Sequence, residues 1–184
     1  MRIFIALNLP REVRQKIGSI SRELQAASEQ GRFVREELLH MTLEFMGSLE
    51  EEGLQRLIRV LDWLTFEPIT IRLGEPGYFP GRKGRTWWIG VEESPELTEL
   101  QAELHRLLKE ADFSLEERVF HPHITLGRDV RVKPDRAFFD RKDKGMQFEA
   151  SEIHVMQSDS SGGRLSYTSR HRIAAGNKGA GPDH

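Results

Sequence analysis

Cysteine is absent from all 184 residues, and its absence removes disulfides, thiolate nucleophiles, iron–sulfur clusters and cysteine-bearing zinc sites together. Long apolar runs are missing too, so no segment reads as a membrane span. The opening MRIFIALNLP meets proline and charge early, without the apolar core and small-residue cleavage site of a secretory leader, and a cytoplasmic protein is expected. Charge of one sign is not in excess either: the net charge of −2 does not suit a protein that wraps long nucleic acid, which needs many cations on one face. What remains is 38% hydrophobic and 30% charged residues, the balance of a globular chain forming one domain or two small lobes on a shared core. Basic residues gather at Arg32 and Arg35, at Arg82, Lys83 and Arg85, and at Arg128, Arg131 and Lys133. Any one cluster reads first as solvated surface, and together they are enough to line a pocket for a short anionic substrate.

Two segments repeat one pattern, LLHMTLEFMG around His40 and VFHPHITLGR around His123, each containing His-x-Thr-Leu, 83 residues apart. The same offset carries the apolar run Ile3–Leu7 onto Thr86–Gly90 within TWWIGV. Past each of these strands a proline, Pro10 or Pro95, suits the first turn of a helix. Val13, Ile17, Ile20 and Leu24 then recur at helical spacing, as do Leu97, Leu100, Leu104, Leu107 and Ala111. Each half therefore reads strand, helix, His-x-Thr strand. Leu54, Leu57, Ile58 and Leu61 mark a further helix, and Ile69, Ile71 and Leu73 a strand before the turn-rich EPGYFPGRKGR. A short helix is expected from Pro134, a last strand through Ile153 and Val155, and a loop at SDSSGG, residues 158–163. One domain over residues 1–173 is expected, with 174–184 a flexible tail.

Side chains two apart on a strand share a face. His40 and Thr42 are thus expected on one face with Met41, Leu43 and Phe45 on the other, and His123 and Thr125 on one face with Pro122, Ile124 and Leu126 behind. An apolar back fixes the rotamers of a polar front, which is what a cleft wall needs. If the halves pack about a pseudo-twofold axis, two imidazoles and two hydroxyls converge. Neutral imidazole takes a proton and imidazolium gives one near neutral pH, so the pair can serve as base and acid on opposite sides of a phosphorus atom, with the hydroxyls donating to its oxygens. A lone strand histidine is usually an ordinary surface or satisfied residue; two in matching positions are not.

On these residues the chain resembles the two-histidine (2H) phosphoesterases, in particular their RNA 2′,3′-cyclic phosphodiesterase branch, also known as 2′-5′ RNA ligases. RIFIAL, LHMTLEFMG, TWWIGV, HPHITLGR and VMQSDSSGGRLSY fall in that family's order over nearly the whole chain. The resemblance implies an α+β, bilobal pseudo-twofold fold of two antiparallel sheets flanked by helices around a central cleft. It implies metal-independent hydrolysis of RNA 2′,3′-cyclic phosphate ends, or of cyclic nucleotides, to 2′-phosphomonoesters, with weak reversible joining of RNA ends. His40 matches the proton donor and His123 the acceptor, although the two roles are exchangeable on sequence alone. Thr42, Thr125 and Arg128 match phosphate-holding positions, and the Ser158–Ser160 region departs from the family's usual Ser-x-apolar. Phe45, Trp88 and Phe120 are candidates for stacking a base, or are core. No cofactor is expected, and the working unit is expected to be a monomer.

Two other readings stand against this one. His121 shares a face with His123, and with His40 gives three imidazoles, a catalytic zinc set; the repeat argues against it, because position 38 is Leu38. The second is a module that binds RNA or nucleotide ends without turning them over.

Overall fold

The computed structural model describes residues 1–133 and 145–176; the helix expected from Pro134 and residues 177–184 of the expected tail lie outside the described residues. The order is β1 (Arg2–Asn8), α1 (Arg11–Ala26), β2 (Ser28–Phe33), β3 (His40–Ser48), α2 (Glu51–Leu61), β4 (Ile69–Phe79), β5 (Arg85–Val91), α3 (Pro95–Glu110), β6 (His123–Val132), β7 (Gln147–Ala150), β8 (Glu152–Asp159) and β9 (Ser166–Ala174). A 3₁₀ turn at Glu36–Leu38 leads into β3. The chain is α+β, as expected. Beyond Ala174 it stays tied down by Ala175 N–H donating to the Ser151 carbonyl (2.8 Å) and Gly176 N–H to that of Phe66 (2.8 Å).

All pairings are antiparallel, in the order β7-β4-β5-β6-β3-β1-β8-β9, with β2 added to β6. The two antiparallel sheets that the resemblance implies are joined as one, and the join is narrow: β3 and β6 share the single registered pair Met41–Ile124. These residues are themselves 83 apart, so the repeat unit meets its own equivalent there. The neighbouring pairings match with a one-residue correction, since Leu7 faces Met41 and Ile89 faces Ile124, an offset of 82 rather than 83.

Proline opens both long helices as expected, and in α3 the Ser94 side chain also caps by accepting from Leu97 N–H at 3.3 Å. Helix α1 buries Val13, Ile17, Ile20 and Leu24, and α2 buries Leu54, Leu57 and Leu61. In α3 the buried row is Leu97, Leu100, Leu104 and Leu108. The expected Leu107 and Ala111 only flank the core, because the last step is four residues rather than three.

Each helix backs the other half's histidine strand. From α1, the buried Ser21 hydroxyl donates to the Leu126 carbonyl on β6 (3.2 Å), while from α3 Gln101 Nε2 donates to the Leu43 carbonyl on β3 (3.5 Å). Strand β4 runs on through Pro76 and Gly77 to Phe79, so the first part of the expected turn-rich stretch is strand. Gly77 is needed there: a Cβ would lie 2.2 Å from the Trp88 ring, which lies across it.

Met41 and Ile124 are both fully buried, so truncation at the join leaves a void that the two halves cannot both close. Met41→Ala should cost about 2–5 kcal/mol; a loss under about 1 kcal/mol in urea denaturation would mean that the join is not packed as described.

Candidate functional site

The pairing of Met41 with Ile124 sets the geometry of the site. Their side chains point into the core, so His40 and Thr42 on β3 and His123 and Thr125 on β6 share the opposite face. Both histidines are anchored alike. His40 Nδ1–H donates to the Leu38 carbonyl (2.7 Å) and His123 Nδ1–H to that of His121 (2.6 Å), each two residues back along its own chain. That bond selects the tautomer and leaves Nε2 as the working nitrogen. On the His40 side Nε2 lies 3.1 Å from Thr42 Oγ1, accepting from the hydroxyl while the ring is neutral.

Both imidazoles are held below their ordinary pKa. Burial is the main cause at His40; the Leu38 carbonyl opposes it, and the charges of Arg128 and His123 add to it. At His123 burial again leads, the His121 carbonyl opposes, and His121, Arg128 and Arg118 add to the lowering. Each ring senses Arg128, and His40 senses His123, so the groups share one electrostatic site. His40 sits deeper than His123.

Strict alternation would turn Arg128 away from His123, and Phe45 away from His40. A matched pair of β-bulges prevents this. Ala6 faces Thr42 and Ile5 faces Glu44, leaving Leu43 without a partner; Trp88 faces Thr125 and Trp87 faces Gly127, leaving Leu126 without one. The two bulged leucines are the ones whose carbonyls accept from Gln101 and Ser21, the Leu126 carbonyl also from Val34 N–H at 2.8 Å. Past the bulge Phe45 comes to the histidine face, 45% exposed, with its ring 6.5 Å from that of Phe4, which packs on His40. The expected apolar back of β3 is corrected here: it holds Met41 and Leu43, then buried Glu44, which accepts from His105 Nδ1–H (2.8 Å), while Phe45 is in front. By the same slip Arg128 is exposed on the front of β6, without an ion-pair partner among the described residues. The next residue, Asp129, takes a left-handed conformation (φ 55°) that Asp tolerates, and its carboxylate accepts from Arg32 at 2.7 Å.

Aromatic rings close round both imidazoles. His40 meets Phe4 at 4.8 Å between centroids and Tyr167 at 5.2 Å; His123 meets Phe79 at 5.2 Å and Trp88 at 6.1 Å. Trp88 lies on the cleft floor against His121 (4.9 Å), Arg118 stands over the Phe45 ring (5.5 Å), and Phe120 packs at the edge of the core. Phe4, Phe79, Arg118 and Tyr167 escaped sequence reasoning. The signal for one was present, since Arg118 lies 83 residues from Arg35. Tyr167 lies on a strand with little apolar patterning. His40, His121 and His123 do not form a metal-ligating group; none of three or more such side chains occurs among the described residues.

Two imidazoles from matched strands on one face of an antiparallel sheet are the arrangement expected of a two-histidine phosphoesterase. The sequence profile of the 2′-5′ RNA ligase superfamily matches residues 9–162, and the chain belongs to that family. It is 36% identical over 154 residues to the RNA 2′,3′-cyclic phosphodiesterase of Archaeoglobus fulgidus, covering 83% of this chain and 86% of that one. With the protein of the same name from Escherichia coli it shares 29% over 177 residues, 94% and 96% of the two chains. The crystal structure of E. coli LigT complexed with 3′-AMP superposes with a TM-score of 0.80 at 27% identity, covering 96% of this chain and 98% of that one.

Burial at both imidazoles predicts that, in the ligand-free protein, His40 and His123 titrate below about 6.5 as neutral rings protonated at Nδ1. Long-range ¹H–¹⁵N NMR through a pH series checks this; a ring titrating above that value, or protonated at Nε2 when neutral, would contradict the anchoring.

Proposed function

We propose that this chain hydrolyses 2′,3′-cyclic phosphodiesters at RNA ends to 2′-phosphomonoesters without a metal ion, with His40 as proton donor and His123 as proton acceptor. The observation that carries this is the pair of imidazoles, each with Nδ1 tied to a carbonyl and each with a threonine two residues on, sharing one face of two paired strands under the charge of Arg128. The relatives named above as RNA 2′,3′-cyclic phosphodiesterases give the substrate class.

Water attacks phosphorus and its proton passes to His123 Nε2. The bond to the 3′-oxygen breaks as His40 Nε2–H protonates that oxygen, leaving a 3′-hydroxyl and a 2′-phosphate. The shallower position of His123 favours the ring that must meet water, and the deeper His40 the ring that meets the leaving oxygen. Thr42, Thr125 and Arg128 hold the nonbridging oxygens, where positive charge and donors lower the barrier. A bound phosphate anion also raises the pKa of whichever ring must be cationic, offsetting the effect of burial. Phe45 and Trp88 present faces on which a base can stack, Phe120 less so. A 5′-hydroxyl end in place of water forms a 2′-5′ linkage by the same proton transfers, which accounts for weak joining of ends. The proposed enzyme is a cytoplasmic monomer. No helix among the described residues is long and apolar enough to cross a membrane.

On 2′,3′-cyclic AMP the product should be 2′-AMP, and His40→Ala and His123→Ala should each cut turnover by roughly 10²–10⁴-fold. His121→Leu, the residue at the matching position of the first half, should stay within about tenfold, because the carbonyl that anchors His123 is main chain. EDTA should leave the rate unchanged. Loss with EDTA that zinc restores would support the metal reading, and stoichiometric binding without phosphomonoester the binding module. With both free imidazoles below their usual value, kcat/KM should peak on the acid side of about 6.5 and fall as pH rises, since it reports the free enzyme; a maximum above pH 8 would exclude an imidazolium donor of lowered pKa.

A further inference from the structure

Each histidine has one ring set edge-on to it, and these two rings differ by one atom that packing does not require. Tyr167 meets the His40 ring at 5.2 Å and 84°; Phe79 meets the His123 ring at 5.2 Å and 89°. Each histidine has a second ring as well, Phe4 or Trp88. The Phe79 side shows that a phenyl ring supplies this contact, so the hydroxyl of Tyr167 adds nothing to the packing. It is half-buried, makes no hydrogen bond among the described residues and is not among the buried polar atoms, so its O–H is free to donate to a bound group.

The ring is also held in place from a distance. Tyr167 is the second residue of β9, and the turn before the strand is fastened to the segment that leads into His40: Arg164 donates to Glu37 at 3.3 Å, and Arg35 donates to the Leu165 carbonyl. Arg35 is in turn paired with Glu37 at 2.9 Å. Edge contact with Phe4 at 4.9 Å fixes the ring from the other side. Burial raises the phenol pKa, with Arg128 and Arg2 opposing, so the group stays a neutral O–H donor across the working pH range.

Building on the hydrolase reading above, we infer that the Tyr167 hydroxyl is a further catalytic group, donating a hydrogen bond to a phosphate oxygen of the substrate on the His40 side of the cleft. It complements Arg128 and makes the two matched edge-on rings of a near-symmetric site unequal: Tyr167 beside His40 carries a hydroxyl donor, and Phe79 beside His123 carries none. A substrate that is itself unsymmetrical, with one phosphorus–oxygen bond to break and one to keep, is then held in one orientation.

Tyr167→Phe removes the hydroxyl and keeps the ring. In Tyr167→Phe, kcat on 2′,3′-cyclic AMP should fall about 10- to 100-fold, the range for one hydrogen bond to a charged group, and the Kd for 2′-AMP by calorimetry should weaken about fivefold or more, with Tm unchanged. Tyr167→Ala should be worse on all three. Tyr167→Phe within twofold of wild type in both kcat and 2′-AMP affinity would overturn the inference and leave the ring as packing. A wild-type protein that leaves cyclic AMP intact would refute the hydrolase reading instead, and the 2′-AMP affinities would still decide whether the hydroxyl touches phosphate.

Discussion

Two buried side chains, Met41 and Ile124, govern the relation between the halves of this protein. They are the sole registered pair between β3 and β6 among the described residues, and they occupy equivalent positions of the repeat. A residue that pairs with its own equivalent must lie beside a local twofold axis of the two strands. Whatever stands one residue to either side is then brought together with its counterpart. Neighbours on an antiparallel pair share a face, so burying the methionine and the isoleucine behind the sheet commits both histidines and both threonines to the front.

The bulges at Leu43 and Leu126 add what alternation alone cannot. A one-residue slip moves every later side chain to the other face, which here delivers Phe45 to the front of one strand and Arg128 to the front of the other. The backbone at the bulges is not left bare, because the Leu43 carbonyl accepts from Gln101 and the Leu126 carbonyl from Val34 N–H and the Ser21 hydroxyl. The two sides of the cleft are alike in imidazole, hydroxyl and anchoring carbonyl, and unlike in the side chain each strand presents beyond its bulge: an aromatic ring on β3, a guanidinium on β6.

Much of this was legible in the sequence. The paired His-x-Thr-Leu, the prolines opening α1 and α3 and the buried rows of the helices are patterns of short period, and each is set by local geometry. Phe45 was misplaced because a bulge has no signature in alternation: Leu43 is apolar, as either face allows. Strand β4 was cut short because Pro76 and Gly77 read as a turn, whereas Gly77 serves the Trp88 ring lying over it. Strands β2 and β9 carry mostly exposed, polar residues, so the hydrophobic period that reveals a strand is missing from both. Tyr167 was invisible for the same reason, as its importance depends on a curl of the sheet that brings β9 back to β3.

The crossed helices carry a consequence for how the chain is made. Helix α1 emerges early yet rests on β6, whose residues come about a hundred positions later, and β1 waits for β8 as its second neighbour. In the folded chain each long helix is bonded to the other half's histidine strand, so a nascent first half leaving the ribosome lacks the surface on which α1 finally rests. Acquisition of structure is thus deferred until nearly all of the chain is available, the behaviour of a slow folder rich in distant contacts. Fragments divided at the β4–β5 hairpin should remain loose alone and gain order only on mixing.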